Sequence, residues 1–215
     1  MTDLYDTIDD NTIALLLFKD KTDPLKDEKG VKWTAESFVA MDGYITDKSG
    51  LYVNDSTVSN VVNNSEFTIE FYFKIEKDVS YTSIFRSTKS NGFYVGVVYE
   101  SGVLSLRDTT PGSDAVKKIA MPELKTWNNI AITLKNNYYQ CFFNGKLTTS
   151  IRNYYGSMHA EIGFNIGYDG AAIPVYNISY GPIRISNICR YTEDFNPSPY
   201  FPSVDNKAVS KLNLY

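Results

Sequence analysis

Three glutamates lie near one another in the sequence and could supply the acid and base of glycoside hydrolysis: Glu66, Glu70 and Glu76. That reaction needs two carboxyl groups held about 5–10 Å apart, one on each side of the scissile bond. Glu66 and Glu70 are separated by about 13 Å if the segment is an extended strand. The spacing therefore disfavours a catalytic pair within this segment, and a carboxylate from a neighbouring strand stays open as its partner.

Other catalytic arrangements lack the residues that they need. His159 is the single histidine and has the sequence context of a loop, so a Ser-His-Asp or Cys-His unit would depend on it alone. The spaced His and Cys residues of zinc sites and the glycine-rich motifs of phosphate loops are absent from the sequence. Cys141 and Cys189 are expected to be free thiols, with a bridge between them left open. We therefore predict that the protein is not an enzyme.

Aromatic residues offer a different chemistry, because a flat ring packs against the C–H surface of a sugar while amides and carboxylates bind its hydroxyls. The chain contains 17 Tyr and 12 Phe. The competing interpretation is that these rings pack at loop bases and interfaces, since tyrosine is common in strands. The predicted ligand contacts are Tyr138, Gln140, Phe142, Tyr154, Tyr155, Tyr168, Asp169 and Tyr176.

No motif requires a cofactor, and none is predicted. Calcium is the open alternative, because it binds oxygen ligands and the predicted loops contain acidic residues. These residues do not form a dense cluster, and solvated loop charges explain them equally well, so the metal stays unassigned. The acids considered are Asp42, Asp108, Asp114 and Asp169.

Charge and hydropathy argue against two classes of partner. The formal net charge is −4 and the sequence pI is about 5.1, with no basic stripe to bind nucleic acid. The apolar run at residues 13–18 is too short to span a bilayer. The acidic N-terminus lacks the pattern of a signal peptide. We therefore expect no nucleic-acid partner and no membrane insertion, and either a cytoplasmic location or a place on a particle.

The elements that position these residues are predicted to be short strands. Alternation is clearest at residues 67–75, where every odd position is apolar and the even positions are Thr, Glu, Tyr and Lys. Similar alternation occurs at residues 93–99, 162–168 and 183–186, with turn residues between the runs. The pattern predicts an all-β protein with two antiparallel sheets, in which one face of each strand meets the core and the other meets water or a ligand.

Residues 127–150 predict two consecutive hairpins. Asn136-Asn137 and Asn144-Gly145 both suit the positive φ angles of a two-residue type I′ turn. Loops of this length fix the register and define a core face, while the opposite face, which carries Tyr138, Gln140 and Phe142, mixes polar groups with exposed rings. The predicted core pairs are Leu134 with Tyr139, Ile132 with Cys141, and Ile130 with Phe143.

The two ends of the chain have similar patterns. Residues 10–18 and 205–215 both begin with Asp-Asn and continue as strand-like stretches. We expect these strands to pair and to close an edge of a sheet. Prolines at residues 196–206 predict an extended connection before the last strand. No firm domain boundary is visible, so residues 1–215 are predicted to form one domain.

Four segments resemble motifs of laminin G-like domains. Residues 67–73 (FTIEFYF) resemble that family's FTIEFW strand, and residues 127–133 (WNNIAIT) resemble its W-x-H-[IV]-A strand. Residues 142–147 (FFNGKL) resemble its [FY]-x-NG hairpin. Residues 183–197 resemble the IRIS…ARYT..F.P ending that is common in the variants carried by tailed phages and prophages. Asn129 and Tyr72 stand where the family has His and Trp, a difference that concerns packing.

This resemblance implies a two-sheet antiparallel jelly-roll sandwich with the concanavalin A-like lectin/glucanase fold. It also implies a non-catalytic lectin-like module that binds cell-surface carbohydrate, as a receptor-binding or adhesion part on the surface of a phage or phage-like particle. Calcium at a loop rim is a feature of some relatives. Two other functions stay open, namely a structural decoration or tail component that binds another virion protein or a second copy of itself, and a glycoside hydrolase.

Overall fold

Alternating apolar residues form the strands of a β-sandwich. The computed structural model describes residues 8–35, 38–41, 43–47, 50–53, 55–62, 65–88, 94–109, 115–153, 161–166 and 178–197. Among these residues no helix is long and apolar enough to cross a membrane. The elements are β1 (Thr12–Leu16), β2 (Trp33–Ala35), β3 (Phe38–Met41), β4 (Tyr44–Asp47), β5 (Leu51–Val53), α1 (Ser56–Val62), β6 (Phe67–Ile75), β7 (Tyr81–Thr88), β8 (Tyr94–Glu100), β9 (Val103–Asp108), β10 (Ala115–Ala120), β11 (Asn128–Lys135), β12 (Tyr138–Phe143), β13 (Lys146–Arg152), β14 (Glu161–Ile166) and β15 (Ile178–Ser186).

The strands form two sheets. The first sheet has eight strands in the order β13-β12-β11-β6-β15-β4-β3, with β1 also paired to β15. The second sheet has seven strands in the order β10-β9-β8-β7-β14-β5-β2. The described strand pairs are antiparallel. The predicted two-sheet antiparallel sandwich is therefore confirmed.

The core lies between the two sheets. The odd-numbered residues of β6, which are all Phe or Ile, are 0% exposed and form the centre of the first sheet's inner face. Phe71 meets Phe85 of the second sheet, with ring centroids 6.1 Å apart. Tyr180 also spans the core, because its hydroxyl donates to the carbonyl oxygen of Ile84 at 2.8 Å. Burying each such apolar side chain contributes about 1.5–3 kcal/mol, so this layer holds the sheets together.

The register of the two predicted hairpins follows from their turn residues. Asn136 and Asn137 have φ angles of 50° and 62°, and Asn144 and Gly145 have φ angles of 49° and 76°. These positive values are those of a type I′ turn. The three core pairs predicted for β11 and β12 are confirmed, namely Ile130 with Phe143, Ile132 with Cys141, and Leu134 with Tyr139.

The outer face of the first sheet is not open to water or a ligand at its centre, contrary to the prediction. Thr68 and Glu70, two even-numbered residues of β6, are 0% and 1% exposed. Residues 187–197, which we name the strap, cover them after β15 ends. The hydroxyl of Thr68 donates to the carbonyl oxygen of Ile188 at 2.7 Å and accepts from the backbone N–H of Arg190 at 2.9 Å. Alternation shows that a face is polar, but another chain segment can satisfy its polar groups in place of water.

The predicted pairing of the chain ends involves residues 205–215, which lie outside the described residues, as does most of the connection at 196–206. Strand β1 pairs with β15 along one edge. On the other edge of β1, the N–H of Leu15 donates to the carboxylate of Asp27, and the carbonyl oxygen of Leu15 accepts from the N–H of Glu28, both at 2.9 Å. Strand β1 therefore has a neighbour on each edge, β15 on one and residues 27–28 on the other.

Candidate binding surface

Three of the eight predicted ligand contacts belong to the described residues. Tyr138 is 46% exposed at the start of β12, and Gln140 is half-buried two residues further on. Both lie near the edge of the first sheet, where β12 pairs with β13. Five predicted contacts lie outside the described residues, namely Tyr154, Tyr155, Tyr168, Asp169 and Tyr176.

The prediction that Phe142 is exposed on a ligand face is wrong. Phe142 is 0% exposed. Its ring packs against Tyr191 and Phe195 of the strap, with centroid distances of 6.1 and 5.7 Å. Those two rings stack on each other with centroids 3.7 Å apart. The N–H of Phe195 also donates to the carbonyl oxygen of Gly145 at 2.8 Å, which anchors the strap to the hairpin. The strap thus covers the apolar surface around Phe142, which the sequence predicts to be open to a ligand.

Glu70, one of the candidate catalytic carboxylates, is fully engaged inside the protein. Its oxygens accept hydrogen bonds from the guanidinium of Arg184 and, at 2.7 Å, from the hydroxyl of Tyr191. The side chains of Glu70 and Arg184 are 1% and 3% exposed. Burial, together with the Glu70 carboxylate, raises the pKa of Tyr191, so this hydroxyl remains a donor. Glu66 and Glu76 each pair with a lysine, at 3.9 and 2.8 Å.

A second surface, which sequence reasoning missed, lies on the outer face of the second sheet. The odd-numbered residues of β8 belong to the core, so its even-numbered residues point outward. The register places Gly96 of β8 between Arg86 of β7 and Arg107 of β9. On the other side of Arg86 come Gly163 of β14 and then Tyr52 of β5. Long residues and glycines thus alternate across five strands at this level of the sheet.

Two tyrosines on this face lie against the two arginines. The guanidinium carbon of Arg86 is 4.4 Å from the ring centroid of Tyr94, and that of Arg107 is 5.7 Å from the ring centroid of Tyr81. The two tyrosine hydroxyl oxygens are 3.5 Å apart. Arg107 also donates to Glu100 at 2.5 Å, and the side chain of Glu100 is 52% exposed. We name these five residues the tyrosine–arginine face.

The tyrosine–arginine face presents donors, acceptors and ring surfaces together. Burial, and then the hydrogen bond with Tyr94, raises the pKa of Tyr81 to about 12, so its hydroxyl is neutral at physiological pH and can donate or accept. Arg86 is 5% exposed, whereas Tyr81, Tyr94 and Arg107 are half-buried. Arg86 therefore supports the face from beneath, and the other residues remain within reach of a ligand.

One sequence signal points to this face. Ser101 and Gly102 have φ angles of 48° and 86° and form a two-residue turn between β8 and β9. A turn of that length pairs Glu100 with Val103 and therefore Gly96 with Arg107. Three of the five residues of the face, Tyr94, Glu100 and Arg107, lie on this one hairpin.

Metal binding finds no support among the described residues. Within them no group of three or more His, Cys, Asp or Glu side chains could hold a metal ion. Of the acids considered for calcium, Asp108 ends strand β9 and is 2% exposed, so it is not a loop acid. Asp42, Asp114 and Asp169 lie outside the described residues.

Solved structures share this fold at low sequence identity. A Trypanosoma rangeli sialidase in complex with sialic acid matches with a TM-score of 0.70 and 9% identity over 86% of this chain and 32% of that one. The binding domain of botulinum neurotoxin serotype D/C VPI 5993 matches with a TM-score of 0.64 and 20% identity over 84% of this chain and 49% of that one. The binding domain of botulinum neurotoxin DC in complex with rat synaptotagmin II gives the same TM-score and identity. The chain thus spans about a third to a half of these proteins, and at such identities the likeness shows the fold alone.

Sequence comparison gives the family. No curated protein matches the chain significantly. A laminin G family model, described as the concanavalin A-like lectin/glucanases superfamily, matches residues 46–188. The match starts in β4 and ends just after β15, so it includes most strands of both sheets. Since it covers more than half of the 215 residues, the chain belongs to the laminin G family of the concanavalin A-like lectin/glucanases superfamily.

Proposed function

We propose that the protein is a non-catalytic, lectin-like binding module whose tyrosine–arginine face contacts a cell-surface glycan. The observation that carries this proposal is the meeting of Tyr81, Tyr94, Glu100 and Arg107 on the outer face of one sheet. Ring faces suit the C–H surface of a sugar, while the carboxylate and guanidinium suit its hydroxyls. The side chains already hold one another in place, so binding costs less ordering of the protein.

The structural neighbours support a binding role by analogy of fold. The Trypanosoma rangeli sialidase was solved with sialic acid, and the neurotoxin binding domain with rat synaptotagmin II. The resemblance of residues 183–197 to the ending found in tailed-phage proteins extends the proposal to an adhesion role on a phage-derived particle. Many copies on one particle would raise the avidity of weak single sites.

The ion pairing and burial of the carboxylates support a non-catalytic role. Two carboxylates are described on strands β7, β8 and β9: Glu100 is already bound to Arg107, and Asp108 is only 2% exposed. Most glycoside hydrolases use two carboxyl groups about 5–10 Å apart across the bond. We therefore expect bound glycan to be recovered uncleaved, with no release of reducing ends.

Binding to an array of bacterial wall polysaccharides and other glycans, with and without calcium, tests the proposal. We expect saturable binding that Tyr81→Ala weakens about tenfold, equivalent to about 1.4 kcal/mol, because a stacking ring is lost. Tyr138→Ala, which removes an exposed ring from the other sheet, is the matched control and should leave binding unchanged. The opposite result would place the site at the hairpin edge. A folded protein that binds no glycan would overturn the proposal.

A structural component with a protein partner is the second candidate, and exposed apolar residues favour it. The edge strands β10 and β13 belong to different sheets and lie side by side. Val116 on β10 and Leu147 on β13 are 58% and 42% exposed. Exposed apolar residues on two neighbouring edge strands suit a second chain. Light scattering after size exclusion would detect self-association, and Val116→Lys should then dissociate it.

A further inference from the structure

We infer that Glu100 and Arg107 recognise two neighbouring hydroxyls of a neutral sugar. This inference rests on the proposed function, and it adds the class of ligand and the groups that select it. Glu100 ends β8, and Arg107 reaches it from β9 with a nitrogen–oxygen distance of 2.5 Å. The carboxylate side chain is 52% exposed and the guanidinium side chain 20% exposed, so both reach the surface.

The pair has the hydrogen-bonding polarity of a vicinal diol. A carboxylate only accepts hydrogen bonds, and a guanidinium only donates them. Two hydroxyls on adjacent carbons can donate one hydrogen bond to the carboxylate and accept one from the guanidinium at the same time. Because the two protein groups are in direct contact, they offer this pattern at the spacing of neighbouring hydroxyls rather than of separated ones.

The surroundings of the pair suit the body of a sugar ring. The ring of Tyr81 lies against the guanidinium of Arg107, at 5.7 Å. Val98 lies on the same face between Ser83 and Ser105 and is 0% exposed, so it underlies the face and the half-buried ring of Tyr81 offers the accessible apolar surface. This ring fits C–H surface, while the ion pair beside it fits hydroxyls.

Charge selects a neutral ligand over an acidic one. Glu100 already neutralises Arg107, so the guanidinium does not offer an uncompensated positive charge at this point. A ligand carboxylate placed beside Glu100 would meet a like charge, and the chain as a whole carries a formal net charge of −4. The geometry therefore favours neutral hexose polymers and disfavours uronate- or sialate-type ligands at this pair.

Periodate chemistry gives a direct test, because periodate cleaves the bond between carbons that carry adjacent hydroxyls. The probes are dextran, yeast mannan and any neutral polysaccharide that binds on the array, each used intact and after periodate oxidation followed by borohydride reduction. A linear 1,3-linked glucan, whose internal residues lack adjacent free hydroxyls, and alginate, an acidic polymer, are compared with them. Biolayer interferometry on the full chain measures affinity.

We expect an intact neutral polysaccharide to bind, and both periodate treatment and Glu100→Gln to weaken that binding by about tenfold or more, as for the loss of a charged hydrogen bond. Glu123→Gln, which changes an exposed carboxylate between β10 and β11 and outside the strands of the face, is the matched control and should have no effect. Glu100 lies in an exposed ion pair, so Glu100→Gln should shift the melting temperature by no more than about 2 °C.

The outcomes separate this inference from the proposed function. Neutral glycan binding that survives periodate or Glu100→Gln overturns the role of the pair and leaves the lectin-like function standing. Binding of alginate alone, or equal binding of the 1,3-linked glucan, also overturns the inference while the function stands. Failure of every glycan, neutral or acidic, overturns both.

Discussion

The buried ion pair between Glu70 and Arg184 connects two separate sequence motifs. Glu70 belongs to the FTIEFYF segment, whereas Arg184 and Tyr191, which binds both charged groups, belong to the motif at residues 183–197. Removing two charges from water is costly unless each is paired and hydrogen-bonded. Each group therefore needs the other two, which gives a physical reason why these motifs occur together in one fold.

Glu70→Gln should destabilise the protein by about 3 kcal/mol, because it leaves the positive charge of Arg184 buried without a carboxylate. Replacing both Glu70 and Arg184 with leucine should cost less than the single change, since no buried charge remains. Chemical denaturation measures both values. Glu66→Gln, which removes a carboxylate whose side chain is 42% exposed, is the control and should cost no more than about 1 kcal/mol. An equal loss in Glu66→Gln would contradict this account.

At the scale of elements, the hairpin turn between β12 and β13 also holds the strap. Gly145 has a φ of +76°, and a Cβ at this position would lie 2.0 Å from the carbonyl oxygen of Phe195. Asp194 accepts hydrogen bonds from the backbone of Leu147 at 2.9 Å and from the side chain of Lys146 at 3.1 Å. The glycine is therefore required twice, once for the turn and once for the close approach of the strap.

Gly145→Ala should lose about 3 kcal/mol or more, from the strained φ together with the steric contact. Gly102→Ala is a matched control, because Gly102 has a φ of +86° but nothing within 4 Å of the added Cβ. It should lose only about 1 kcal/mol, the cost of the left-handed backbone. Hydrogen exchange should show faster exchange at the N–H of Phe195 in Gly145→Ala and not in Gly102→Ala. Equal losses would show that the strap contact contributes nothing.

Local patterns explain which elements could be predicted from the sequence. The pairing of β11 with β12 follows from two turn residues, because a two-residue loop fixes every later pair. The strap could not be foreseen, since the alternation in β6 shows two kinds of face but not what covers the polar one. The burial of Phe142 is a consequence of that long-range contact with Tyr191 and Phe195.

The tyrosine–arginine face, too, could be predicted only in part from local sequence patterns. Glu100 and Arg107 come from one hairpin, and the turn between them is visible in the sequence. Tyr81 and Arg86 join through β7, beyond a loop whose length does not fix a register. Which strands are neighbours in a sandwich depends on non-local pairing, and no local pattern encodes it.

At the scale of the whole molecule, buried thiol and phenol groups make the free energy of unfolding depend on pH in the alkaline range. Cys141 is a free thiol inside the core, and burial raises its pKa from 9.0 to about 12. Burial, and then a hydrogen bond to Asp78, raises the pKa of Tyr99 from 10.0 to about 12. In the unfolded chain these groups lose their protons near pH 9 to 10, whereas the folded protein retains them up to about pH 12. Between these limits the folded state binds more protons, so its stability falls as pH rises.

Below pH 9 the contribution of Cys141 should be complete, and it should be lost progressively as the pH rises towards 12. The slope from this one thiol approaches about 1.4 kcal/mol per pH unit between its unfolded and folded pKa values. Tyrosines of the unfolded chain begin to ionise in the same range, so the difference between the slopes of the original protein and Cys141→Ala, from denaturant midpoints between pH 8 and 10, gives the share of the thiol. Cys141→Ala lowers stability at every pH because it leaves a cavity, but it should flatten this slope. Cys189→Ala, at the half-buried free thiol of the strap, should leave the slope unchanged. A slope in Cys141→Ala equal to that of the original protein would assign the alkaline loss to other groups, and the buried thiol would then contribute no part of it.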